Sequence, residues 1–150
     1  MPSPSIDFFY SFLAMMLVGT ILTFSFASYA GLLREASEVN QLKETLKIVA
    51  AKAAEALSTV TEDNASVSIV IQLPSTIGNN YYWIRFANDS SKVWLEGAFG
   101  NTPINGEQEY RVYLPKKVMA SGSFEGAYEF AQLNCSLNGS TPQIVLSRAG

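Results

Sequence analysis

No histidine occurs in the chain's 150 residues, and cysteine occurs once, at Cys135. The first absence removes the side chain that most often serves as general base or metal ligand near neutral pH. The second excludes an internal disulfide and a cysteine-built zinc cluster, and Cys135 is expected to be free rather than paired between chains. Basic residues are also few: Lys and Arg total 10 against 13 acids, for a net charge of −3. Nucleic acid calls for a basic stripe, so no nucleic-acid partner is expected. A glycine-rich phosphate loop is missing too. The carboxylate pairs Glu107 with Glu109 and Glu125 with Glu129 have no nucleophile or metal partner nearby, and they read as surface charge. Catalytic residues, metal sites and cofactors are therefore not expected, and the chain does not read as an enzyme.

Two further absences define the N-terminal third. Residues 8–33 (FFYSFLAMMLVGTILTFSFASYAGLL) carry no charge, and proline is missing between Pro4 and Pro74. Pro4 suits a first helical turn, with Ser3 as its N-cap and Asp7 near the positive end of the helix dipole. A helix over residues 8–33 is about 39 Å long, more than the ~30 Å hydrocarbon core of a bilayer. A helix apolar on every face must be buried on every face. The segment either crosses a membrane or lies inside an assembly that replaces one. Gly19 and Gly31 are tolerated in such a helix, and they permit neighbouring helices to approach closely.

Charges return at Arg34, but the helical pattern continues. Leu32, Ala36, Val39, Leu42, Leu46, Val49, Ala53, Leu57 and Val60 keep a three-four rhythm for about four heptads, an apolar stripe on a helix with one wet face. The two halves together predict a stalk of about 55 residues and roughly 80 Å. Residues 61–64 (TEDN) form a polar turn that ends it, which divides the chain into a helix over 1–62 and a head over 63–150.

In the head, alternation replaces the helical period. Residues 66–73, 81–87, 92–99, 109–114, 123–133 and 143–147 read as about six strands separated by turn residues. The fold class is α+β: one long N-terminal helix, hydrophobic and then amphipathic, followed by an antiparallel β-rich head. The head is either a sandwich or a curled sheet packed on the helix stripe. Packing of head on stalk is expected at Val39, Leu42, Leu46, Val49, Ala53 and Leu57. Most of the head's aromatics, among them Trp83, Phe86, Trp94 and Phe124, read as core and cross-strand pairs rather than a ligand groove.

Four N-x-Ser/Thr sequons lie in the head, at Asn64, Asn88, Asn134 and Asn138. All four fall in predicted turns or at strand ends, where a glycan acceptor belongs, and glycans there place the head outside the cell. Counting basic residues alone gives the opposite orientation, since Arg34, Lys43, Lys47 and Lys52 follow the apolar run. One resolution is a short basic leader that orients the chain and is then removed, an expectation that a basic tract encoded directly upstream would support.

A fatty N-terminal helix that runs into an amphipathic continuation and carries a β-rich head with sequons resembles the archaeal type IV pilins and archaellins. The resemblance spans the chain, with residues 6–60 as the pilin-like helix and 66–150 as the head. It implies an extracellular filament subunit that is membrane-inserted before assembly, is handled by pilus assembly machinery, polymerises as an open helical homo-oligomer and serves adhesion. Bacterial pilins usually carry an acidic residue soon after the leader cleavage site, and Asp7 stands slightly later than that. The filament core would be packed by Phe8, Phe9, Phe12, Leu13, Met16, Leu17, Gly19, Ile21, Leu22, Phe24, Phe26, Tyr29, Leu32 and Leu33. The alternative is a single-pass, membrane-anchored β-domain, like a stator component of the archaellum, that binds the cell-surface layer and never polymerises.

Overall fold

A computed structural model describes residues 4–103, 109–115 and 118–150. The Ser3 cap and Glu107 lie outside the described residues. Helix α1 runs Pro4–Asp63. Seven strands follow: β1 (Val67–Gln72), β2 (Tyr82–Asn88), β3 (Val93–Phe99), β4 (Tyr110–Tyr113), β5 (Met119–Glu125), β6 (Phe130–Asn138) and β7 (Thr141–Arg148). A 3-10 turn, Gly126–Tyr128, separates β5 from β6. The architecture is α+β. By contacts the chain divides into two units, Met1–Ser37 and Glu38–Gly150. The division falls inside α1, so residues 38–63 belong with the sheet.

In the second unit all seven strands join one sheet, in the order β1-β6-β7-β5-β2-β3-β4. Of the two head architectures left open by the sequence, this is the sheet laid on a helix. Every pairing is antiparallel except β5 with β7, where Met119 lies opposite Gln143 and Gly122 opposite Leu146. The helix covers one face. Leu42, Leu46, Val49, Ala53 and Leu57 are each at most 1% exposed, and they form one cluster with Ile71, Ile84, Leu95, Phe124, Leu133 and Ile144. Burying a side chain of that size contributes about 1.5–3 kcal/mol, so the stripe alone accounts for much of the docking. Val39, the first stripe residue of this unit, is half-buried. Lys43 adds a cation–π contact over Tyr110 at 5.0 Å, and Asn80 Nδ2 donates to Glu38 Oε2 at 2.8 Å.

The helix ends as its sequence requires. Asn64 takes φ 50°, a left-handed conformation that asparagine tolerates and that stops α-helix. Tyr82 is fully buried, its hydroxyl donates to the Pro74 carbonyl at 2.7 Å, and burial pushes its phenol well above the usual range. Cys135 is free and 1% exposed on the core side of β6, and burial pushes its thiol up to about 11.

Two expected boundaries change. The strand expected over 123–133 is the end of β5, the 3-10 turn and the start of β6, broken where Glu129 takes φ 60°. Asn134 is not at a strand end. It lies in the middle of β6, opposite Ser68 of β1 and Val145 of β7. Asn134, Ser136 and Asn138 are the solvent-side residues of a half-buried strand whose inward residues are Leu133, Cys135 and Leu137. Their polarity reads as a turn when the period of two is overlooked.

Candidate functional site

Within the first unit, the described helix side chains, residues 6–37, are all exposed. Every large apolar residue from Ile6 to Leu33 is exposed, from 45% at Leu13 to 78% at Met15. The expected packing residues all fall in this set or beside it: Phe8, Phe9, Phe12, Leu13, Met16, Leu17, Ile21, Leu22, Phe24, Phe26, Tyr29, Leu32 and Leu33 are exposed on every side of α1. By length and composition the helix can cross a membrane. Monomeric soluble proteins rarely show contiguous apolar patches beyond a few hundred Å².

Two polar groups inside this run have their hydrogen bonds within the helix. Thr20 Oγ1 donates to the Met16 carbonyl at 2.7 Å, and Thr23 Oγ1 to the Gly19 carbonyl at 2.8 Å. Both hydroxyls are satisfied within the helix and carry no penalty into an apolar medium. Gly19, Thr23, Ala27 and Gly31 recur at intervals of four, which puts small side chains on one narrow stripe. A Cβ added at Gly19 or Gly31 would meet nothing within 4 Å, so neither glycine serves packing within the chain.

The sheet face opposite the helix carries the main charged cluster. Arg85, Glu96 and Arg111 stand in cross-strand register on β2, β3 and β4. Glu96 is 2% exposed and accepts from Arg85 Nε at 2.5 Å and from Trp94 Nε1 at 2.7 Å, with Arg111 Nε at 3.4 Å. Glu109 joins the network, 3.4 Å from Arg85 Nη2 and 3.1 Å from Arg111 Nη2. The guanidiniums lie over indole rings, Arg85 over Trp83 and Arg111 over Trp94. Trp83 is fully buried, and its Nε1 has no hydrogen-bond partner among the described residues.

This arrangement is structural in its chemistry. Burial alone would raise the Glu96 pKa. The Trp94 and Arg85 hydrogen bonds and the charges of Arg85 and Arg111 outweigh that and hold the carboxyl below the usual range. The folded state therefore favours the carboxylate. Its stabilisation is present above the unfolded-chain pKa of Glu and is lost as pH falls through the folded value. Glu96→Gln is expected to cost about 2 kcal/mol at pH 7, because hydrogen bonds to a charged group contribute about 1.5–3 and the partly exposed arginines can rehydrate. The loss should shrink from pH 7 to an acid pH below the folded value, where wild-type Glu96 is itself protonated. Urea denaturation at the two pH values checks this; an equal loss at both would contradict it.

The sequence did not single out Arg85, Glu96 or Arg111. The available signal was one outward-facing charge in each of three consecutive aromatic strands. No group of three or more metal-ligating His, Cys, Asp or Glu residues occurs among the described residues. The surface-charge reading of Glu109 needs correction, since it is half-buried and bonded to both arginines. Glu125 is half-buried, opposite Trp83, and Glu129 is exposed.

The family of unknown function DUF7266 matches residues 12–127, which takes in most of the apolar helix and the strands through β5. The chain belongs to DUF7266. No curated protein and no solved structure matches it. The features of this DUF7266 member with functional content are its exposed apolar helix, the sheet and the sequons. Asn64, Asn88, Asn134 and Asn138 are all exposed.

Proposed function

We propose that the chain is a structural subunit of an extracellular type IV pilus-like filament that polymerises through residues 8–33 and serves surface adhesion. One observation carries the reading: a charge-free helical segment exposes its large apolar side chains in every direction, while the second unit has a complete core of its own. Such a surface is stable in lipid before assembly and among copies of itself afterwards. Burying each large side chain contributes about 1.5–3 kcal/mol, so a bundle of these helices is strongly held. The contact is head-to-tail, which propagates as an open helix rather than closing into a ring. The self-satisfied threonines and the small-residue stripe support close helix packing.

Single cysteines test this, because the native Cys135 is buried and leaves a quiet background. Leu17→Cys is expected to give intermolecular disulfide dimers in material sheared from cells without detergent. If the chain instead stays in the membrane fraction, uncrosslinked and extractable only by detergent, it is a single-pass anchored β-domain and the filament reading fails.

A further inference from the structure

We propose that one end of the sheet is a glycan-bearing surface, with N-linked sugars on Asn64, Asn88 and Asn138, and that the fourth sequon, at Asn134, stays bare. The inference rests on the preceding reading only in requiring the head to lie outside the cell.

Strand directions bring the three asparagines together. β2 runs antiparallel to β5, β5 parallel to β7, and β7 antiparallel to β6. β2 and β6 therefore run the same way, and their last residues, Asn88 and Asn138, leave the sheet at the same end. β1 runs antiparallel to β6, with Val67 opposite Cys135, so the Asn64 linker enters at that end as well. Glu38 and its partner Asn80 mark the opposite end, where the β1–β2 connection lies.

Asn64 lies outside the sheet ladder, and Asn88 and Asn138 are the last pairs of their hairpins, each joined on one side only, to Val93 and to Thr141. Residues 64–66 belong to no strand, and Asn64 has φ 50°. Asn88 precedes a turn closed by Asp89, whose carboxylate accepts from the Ser91 and Lys92 amides at 2.7 Å each. Asn138 precedes Gly139 at φ 66°, the hinge of the β6–β7 turn. A transferase must take the acceptor backbone into its own cleft and bring the +2 hydroxyl toward the asparagine amide, which is why acceptors belong in surface loops. Asn134 offers an exposed side chain on the wrong backbone. It is paired on one side with Ser68 and on the other with Val145, so lifting it out would break two ladders at once.

The same end has room for the sugar. A crevice of about 380 Å³ lies between the two hairpin turns, lined in part by Asn88, Ser90, Met119, Ser140 and Pro142. Met119 is 54% exposed there, an apolar surface that the C–H face of a sugar on Asn88 would cover, with Ser90 and Ser140 hydroxyls beside it. The donor class is an oligosaccharide carried on a lipid phosphate or diphosphate. The asparagine amide nitrogen forms a bond to the anomeric carbon, and the carbon–oxygen bond to phosphate breaks. The phosphate leaves with the electron pair, and the amide proton passes to a base of the transferase.

Glycopeptide mass spectrometry on the full chain isolated from its own cells tests this. Sugar mass is expected on the peptides holding Asn64 and Asn88 and on the peptide shared by Asn134 and Asn138. Asn138→Gln should leave that shared peptide at its bare mass. Sugar remaining there would place a glycan on Asn134 and overturn the inference, as would bare asparagines at all three turns. Bare turns on an imaged filament would sink this inference alone. Glycosylated turns on a chain that stays in lipid would sink the filament reading alone.

Discussion

Removing residues 1–37 is expected to turn a chain that is insoluble alone into a folded monomer that needs no detergent. The division at Ser37 leaves the whole described core in the remaining part. Helix residues 38–63 keep Leu42, Leu46, Val49, Ala53, Leu57 and Val60 against the sheet, each essentially inaccessible to solvent. Deletion takes away the large apolar side chains that are 45–78% exposed from Ile6 to Leu33, and among the described residues it removes none that is buried. Sequence-local losses are small: the new helix start at Glu38 loses one set of terminal hydrogen bonds, and the Asn80 bond to Glu38 stays. Light scattering on a sizing column should report one chain's mass, with mixed α and β circular dichroism and a cooperative urea transition. Aggregation or loss of the transition would show that the apolar segment supports the fold, contrary to this account.

The second large effect is expected at Gly122, where alanine should destabilise the head by about 3 kcal/mol or more. Gly122 has φ 100° and lies on β5 opposite Leu146, within the parallel pair that joins the β1-β6-β7 group to the β2-β3-β4 group. An added Cβ would fall 2.0 Å from the Leu146 carbonyl oxygen and 2.9 Å from its carbonyl carbon and amide nitrogen. These are backbone atoms, so the strands themselves must separate. Overpacking costs about 1–3 kcal/mol and a residue held in a disfavoured backbone region about the same again. Both act on a fold whose whole margin is about 5–15 kcal/mol. Gly139→Ala is the internal comparison. Its φ is 66° but nothing lies within 4 Å of the added atom, so only the conformational part, about 1 kcal/mol, is expected there. Urea midpoints of the two variants should differ clearly, and equal midpoints would mean the seam is not closely packed.

The parts of the fold legible in the sequence are those set by long, one-sided patterns. The uncharged run over 8–33, the missing prolines and the stripe from Val39 to Val60 specify α1 and the face it buries. Alternation in β1 to β4 is carried by β-branched and aromatic residues such as Ile69, Ile71, Phe86 and Val93, which leave little choice of period. Residues 119–122 were not legible as strand. Met, Ala, Ser and Gly have little strand preference, and β5 forms there because the Leu146 backbone passes close to Gly122. The break at Glu129 has no local signal either, since a charged residue there adopts a left-handed φ that sequence would assign to glycine or asparagine. The Arg85–Glu96–Arg111 network needs register: the three residues lie on three strands and become neighbours only once those strands pair. The sequons were legible as motifs, but the difference between Asn134 and the other three exists only in the ladder.

In the proposed filament, residues 8–33 leave lipid for the company of identical helices. Electron microscopy of the full chain, taken from cells without detergent at neutral pH and reconstructed in three dimensions, is the decisive measurement. Filaments with the apolar helices bundled along the axis and the sheets outside are the predicted result. A monodisperse, detergent-free single chain, or a filament whose axis is built from the sheets, would contradict it.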